Sequence, residues 1–136
     1  MTRASDVANI LKQPFTNTLG TNNYRAGVNT GNSIASGGND NTCVGDEAGT
    51  AITTGDNSVV VGYRAGDALT TGSSNIAIGR DALGAEVAGN KNIAIGAGAL
   101  ETQSFSSATD SHNIAIGSNA GVDLSLIHIS EPTRRS

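Results

Sequence analysis

The side chains able to carry chemistry are few and scattered. The 136-residue chain has one cysteine, Cys43, and two histidines, His112 and His128. Their spacing defines no nucleophile with a base beside it, and a single cysteine gives neither an internal disulfide nor a zinc-ligand set. Adjacent acids occur at Asp46-Glu47. Glycoside hydrolysis needs two carboxyl groups facing each other across a cleft, whereas this pair reads as a solvated corner. Gly37-Gly38-Asn39-Asp40 carries part of a calcium-binding nonapeptide pattern, but only once, where such sites need stacked copies. Gly96-Ala97-Gly98 lacks the strand–turn–helix setting of a phosphate loop. No catalytic residue, cofactor or metal site is expected. The chain reads as a structural or binding module, not an enzyme.

The elements that position these residues are repeats. Asn75-Ile76-Ala77-Ile78-Gly79 recurs as Asn92-Ile93-Ala94-Ile95-Gly96 and as Asn113-Ile114-Ala115-Ile116-Gly117. Weaker copies begin at Asn23, Asn41 and, with Ser58-Val59-Val60-Val61-Gly62, one residue after Asn57. The starts at 23, 41, 58, 75, 92 and 113 are separated by 18, 17, 17, 17 and 21 residues. Three residues after each glycine stands Thr30, Ala48, Ala65, Ala82, Ala99 or Ala120, followed by Gly31, Gly49, Gly66, Leu83, Leu100 or Gly121. Turn signals such as Thr53-Thr54-Gly55-Asp56 and Thr70-Thr71-Gly72-Ser73 precede several copies.

Branched residues on both sides of each small central residue favour a strand. The glycine that follows permits a corner. A coil of this length makes only two or three short sides at ~3.3 Å per residue and cannot close a core alone. Stacked coils can, through a parallel sheet and ladders of like side chains. The fold class is therefore all-β: a parallel β-solenoid of about six coils over residues 22–123, preceded by a short N-terminal helix or tail over residues 1–21. Ile76, Ile78, Ile93, Ile95, Ile114 and Ile116 are the expected repeat core. The opposite face reads Arg25, Cys43, Val60, Ala77, Ala94, Ala115, with Cys43 as a small ladder residue. Val60, Ala77, Ala94 and Ala115 are either half-exposed on a lone solenoid or a close-packed axis where three chains meet; Arg25 fits such an axis badly.

One feature suggests recognition. The last interval is four residues longer than its neighbours, and the excess lies within residues 101–112. Insertions in repeat proteins map to loops on one face, often the binding face. This loop is polar apart from Ala108 and Phe105, whose ring either stacks on a host-surface ligand or folds inward to close a gap.

Bulk properties narrow the classes. Aromatic residues are 3% of the chain, so the core is built from small aliphatics or shared between chains. Eighteen glycines without a Gly-X-Y period exclude collagen. The net charge of −4, with scattered basic residues, gives no stripe for a nucleic-acid backbone. No run of roughly 18 apolar residues is present to insert in a membrane. An ice-binding array would need a longer stack of threonines than Thr53-Thr54 and Thr70-Thr71 supply, and a left-handed-helix acyltransferase would need regular hexapeptides.

The N-x-A-[IV]-G-x-x-A pattern with its T-T-G-[DSN] turns resembles the head repeats of trimeric autotransporter adhesins. It is more similar to related repeats in phage tail-fibre and other virion proteins, notably over Asn57-Ser58-Val59-Val60-Val61-Gly62-Tyr63-Arg64-Ala65-Gly66. The opening Arg3-Ala4-Ser5-Asp6-Val7-Ala8-Asn9 is also similar to starts of phage fibre proteins. The resemblance implies a left-handed β-roll, a homotrimer, attachment to other virion or tail proteins through the N-terminus, and a place in the phage virion as a tail-fibre or spike segment. It also implies contact with a host-surface glycan or protein. The alternative it leaves open is the head of a bacterial trimeric surface adhesin. The beginning Met1-Thr2-Arg3 leads into no secretory apolar stretch, which favours the virion.

Two terminal segments stand apart. Ser5 to Lys12 reads as a short helix with Ser5 as N-cap and Val7, Ile10 and Leu11 in one stripe, or as a tail. Residues 124–136 begin with Leu124-Ser125-Leu126-Ile127-His128-Ile129, which is similar to a translated transposase-type sequencing adapter. The native segment is therefore expected to stop at or near Asp123, and the tail is left out of the fold.

Overall fold

The computed structural model describes residues 20–122. The expected helix over residues 5–12 and the tail over 124–136 lie outside them. Within them the chain is a β-solenoid. The strands are β1 (Tyr24–Ala26), β2 (Thr42–Val44), β3 (Val59–Val61), β4 (Ile76–Ile78), β5 (Gly89–Asn90), β6 (Ile93–Ile95), β7 (Thr109–Asp110) and β8 (Ile114–Ile116). Six of them form one parallel sheet in the order β1-β2-β3-β4-β6-β8, and β5 pairs with β7 in parallel. Each repeat start thus begins one coil, with five complete turns between Asn23 and Asn113.

The register follows the sequence repeat without slippage. Val60 lies beside Ala77, Ala77 beside Ala94 and Ala94 beside Ala115. At the corner the coils approach so closely that a Cβ on Gly62 would lie 2.7 Å from the Gly79 carbonyl oxygen, and the backbone there has φ +132. Only glycine meets both conditions. A column of buried side chains at the repeat starts ties each coil to the next. Asn23 Oδ1 accepts the Asn41 N–H at 2.9 Å, Asn41 Oδ1 accepts Ser58 N–H at 3.0 Å, and Asn75 Oδ1 accepts Asn92 N–H at 3.0 Å. The amide groups of Asn41 and Asn75 donate across their own coils to Gly55 and Gly89 carbonyls, at 2.7 and 2.8 Å. A polar column inside the coil is stable because its hydrogen bonds are made.

The structure reverses the expected faces of the main sheet. Cys43, Val60, Ala77, Ala94 and Ala115 point into the chain's own core, packed with the alanines of the next corner. The expected axis residues Val60, Ala77, Ala94 and Ala115 are therefore enclosed by their own coils and cannot line a contact between chains. Ile76, Ile93 and Ile95 are half-buried on the outer surface, Ile78 is 36% exposed, and Ile114 and Ile116 are 68% exposed. The expected core isoleucines are the outside of the sheet. The reason is width. One strand residue per coil points inward, and it faces the corner alanine and the far wall, where Ile34, Ile52 and Leu69 stand.

Volume in that narrow interior is balanced within each coil. Where the central strand residue is Cys43 or Val60, the residue after the corner alanine is Gly49 or Gly66. A Cβ there would meet Ile52 Cδ1 at 2.8 Å and Cys43 Sγ at 2.9 Å, or Leu69 Cδ1 at 2.9 Å and Val60 Cγ1 at 3.3 Å. Where the centre shrinks to Ala77 or Ala94, that slot holds Leu83 or Leu100, both fully buried. Both leucines take positive φ, 56 and 51. That conformation is costly for a bulky residue, and burial of the leucine offsets it.

Candidate interaction face

The outer side of the main sheet carries two parallel columns. One is Tyr24, Thr42, Val59, Ile76, Ile93, Ile114; the other is Ala26, Val44, Val61, Ile78, Ile95, Ile116. With strands ~4.8 Å apart, the five steps span roughly 24 Å, and the columns lie ~7 Å from each other. The first two levels are mixed, with Tyr24, Ala26 and Thr42. From β3 onward every outward residue is valine or isoleucine. A contiguous apolar strip of this kind is the candidate interaction surface among the described residues.

Both rims of the strip are polar. On the corner side Arg64 Nη2 lies 2.9 Å from Asp67 Oδ2, with Glu47 at 3.7 Å and Asp81 at 3.9 Å. The Asp67 hydrogen bond, reinforced by its charge, holds the Arg64 guanidinium more firmly protonated than usual. On the other rim, Asp110 accepts from Lys91 and from Asn90, and those bonds hold its carboxyl below the usual carboxylate range. These pairs are solvent-exposed and add little stability. They do frame the apolar strip with charge.

The other candidate residues are dispersed. Cys43 on β2 and His112 beside β8 are four strands apart in the sheet. Glu47 of the acid pair turns toward Arg64. Asn39 serves a turn network, its Oδ1 accepting from the Thr21 N–H at 2.8 Å. No group of three or more metal-ligating side chains occurs among the described residues.

No family model, curated protein or solved structure matches this chain.

Phe105, the expected receptor contact, is only 6% exposed. The insertion turns it inward, and its N–H donates to Glu86 Oε1 at 3.0 Å. Glu86 is the residue that sequence reasoning passed over. It occupies the far-wall slot that Ile34, Ile52 and Leu69 fill in earlier coils, and it is fully buried. Its Oε1 accepts the N–H groups of Val87, Ala88, Gly89 and Phe105 at 3.0, 3.2, 2.7 and 3.0 Å, and Oε2 accepts from Gln103 Nε2 at 2.7 Å. The signal was the change of that column from Ile34, Ile52 and Leu69 to Glu86 and Gln103, in the coils just before and within the longest repeat. The loop left at the surface is Ser104 and Ser106 to Ala108.

Cys43 gives a direct check on which face is inside. Burial pushes its thiol from 9.0 up to about 12, against the opposing pull of the Arg25 charge. A thiol held protonated is unreactive. Ellman's reagent is expected to leave the native protein unlabelled at pH 8 and to label one thiol per chain in denaturant. Rapid labelling of native protein would place Cys43 outside the core. The same shift makes stability fall with pH. Above about 9 the unfolded chain ionises this thiol, whereas the folded chain keeps its proton until about 12.

Proposed function

We propose that this chain is a structural segment of a trimeric phage tail fibre or virion spike: a stiff spacer that holds a distal element away from the particle and shares in host-surface adhesion. The observation that carries the reading is the outward Val/Ile strip from Val59 to Ile116. A lone chain gains nothing from isoleucines 68% exposed to water, whereas copies that set these strips against one another bury them. The axis is thus the Ile76–Ile93–Ile114 side of the sheet, in place of the alanine side. The repeat pattern's resemblance to virion fibre and adhesin-head repeats supports threefold assembly. Stiffness comes from backbone ladders and from the buried column of asparagines and Ser58 that links successive coils. Three joined copies would also multiply weak surface contacts into avidity.

Solution mass by light scattering after size exclusion tests this. The full chain is expected to run as three copies. A variant with Ile76→Asp and Ile93→Asp is expected to run as one, with its circular dichroism unchanged. A monodisperse single-chain mass for the unmodified protein would sink the proposal.

A further inference from the structure

The turn that ends each coil aims neighbouring backbone N–H groups at a single acceptor. Thr53, Thr54 and Gly55 all donate to the Thr70 carbonyl of the next coil, at 2.9, 3.3 and 3.3 Å. One coil on, Thr70 and Thr71 donate to the Val87 carbonyl at 2.9 and 3.3 Å. In the coil before the insertion the acceptor changes. Val87, Ala88 and Gly89 donate to Glu86 Oε1, and Phe105 of the next coil adds its N–H to the same oxygen. The carboxylate stands in for the carbonyl that the next coil supplies at the two preceding levels.

Bonds that do not involve Glu86 hold these donors in place. The Val87 carbonyl accepts from Thr70 and Thr71, the Gly89 carbonyl accepts from Asn75 Nδ2 at 2.8 Å, and the Phe105 carbonyl accepts from Ala88 at 3.0 Å. Gln103 Nε2 meets the second carboxylate oxygen at 2.7 Å, and its own Oε1 accepts from Asn113 Nδ2 at 2.6 Å. The space is shaped as well. A Cβ on Gly89 would lie 2.7 Å from Glu86 Cδ and 2.8 and 2.9 Å from the two oxygens, so the carboxyl group fills the place that glycine leaves empty. Successive N–H groups that converge in this way bind an anion without a cationic side chain.

We propose that Val87, Ala88, Gly89, Phe105 and Gln103 form a binding site for a small carboxylate anion, which Glu86 occupies as a tethered ligand. The donors belong to the coil and its neighbours, and the side chain is their occupant. The fragment removed by Glu86→Ala, one CH2 group and a carboxylate, has the size of acetate. Free acetate or formate therefore enters the alanine variant and accepts from the same donors. The site is independent of self-association through the outer strip.

The test follows urea unfolding and amide exchange of the full chain at constant ionic strength, with sodium chloride replaced stepwise by sodium acetate or formate. The unfolding midpoint of Glu86→Ala is expected to rise and saturate, as it does for a ligand that binds only the folded chain. Exchange at the Phe105 amide, fast in chloride, should slow by roughly tenfold or more at saturation. The parent and Glu86→Gln, whose site is filled, should not respond. Nor should the alanine variant respond to trimethylacetate, which is too wide for the space. If the alanine variant is unfolded in chloride, acetate must restore the circular dichroism of the parent. Absence of a saturable acetate response, in the folded or the unfolded case, overturns the proposal. So does an equal response from Glu86→Gln or to trimethylacetate, which would place the action of the salt outside this site.

Discussion

Replacing Glu86 by alanine is expected to destabilise the chain by about 3–5 kcal/mol, because a buried acceptor is removed from several donors at once. The N–H groups of Val87, Gly89 and Phe105 lose the carboxylate oxygen that they share, and Gln103 loses its partner. Ala88 is better placed, since its N–H also donates to the Phe105 carbonyl at 3.0 Å. Glu86→Leu restores the aliphatic type found at Leu69 but supplies no acceptor, so it should recover little. Glu86→Gln keeps one carbonyl oxygen and should cost less, about 1–2 kcal/mol. Urea unfolding gives the size of the effect, and hydrogen exchange at the Phe105 amide gives its location. An alanine variant as stable as the parent, with Phe105 still protected, would mean that the insertion is held by something other than this carboxylate.

The second large effect concerns the volume balance inside a coil. Leu83→Gly should cost about 3 kcal/mol, the usual cavity penalty of a buried leucine less the relief of its left-handed backbone. Ala77→Val alone should cost about 1–3 kcal/mol by overpacking against Leu83. The two changes together recreate the Val60–Gly66 pair of the preceding coil, with Glu86 in the place of Leu69. The double variant should therefore be more stable than the sum of the single losses allows, with a coupling of about 2 kcal/mol in thermal or urea unfolding. Additive losses would show that the two side chains do not share one space.

The solenoid was legible because its signal is redundant. Five intervals and three registered elements all point to stacked coils, and strand register followed from aligning the repeats. The orientation of the sheet was not read correctly, for a physical reason. In a branched–small–branched strand of three residues, hydrophobicity alone favours burying the two large residues. A narrow coil admits only the small one. The discriminating signal was present in the exchange of Gly49 and Gly66 for Leu83 and Leu100 as Cys43 and Val60 give way to Ala77 and Ala94. That exchange makes sense only if both slots face the same interior. Phe105 misled for a related reason. A single aromatic in a polar loop suggests a surface contact, yet the buried Glu86 upstream needs N–H donors, and the segment that delivers one also carries the ring inward.

The asparagine column bears on how such a chain can change length over generations. Its bonds run from one coil's starting side chain to the next coil's backbone, and they look alike whether the neighbour begins with Asn41, Asn92 or Asn113. The balance of core volume closes within a single coil. A duplicated or deleted stretch of DNA encoding one whole coil therefore meets the same junction above and below, and adds or removes ~4.8 Å of height. A shift that splits a coil breaks both the column and the balance. A whole-coil change leaves the register of every other coil intact, and within the Val/Ile part of the sheet, from β3 to β8, it lengthens or shortens the strip by one level.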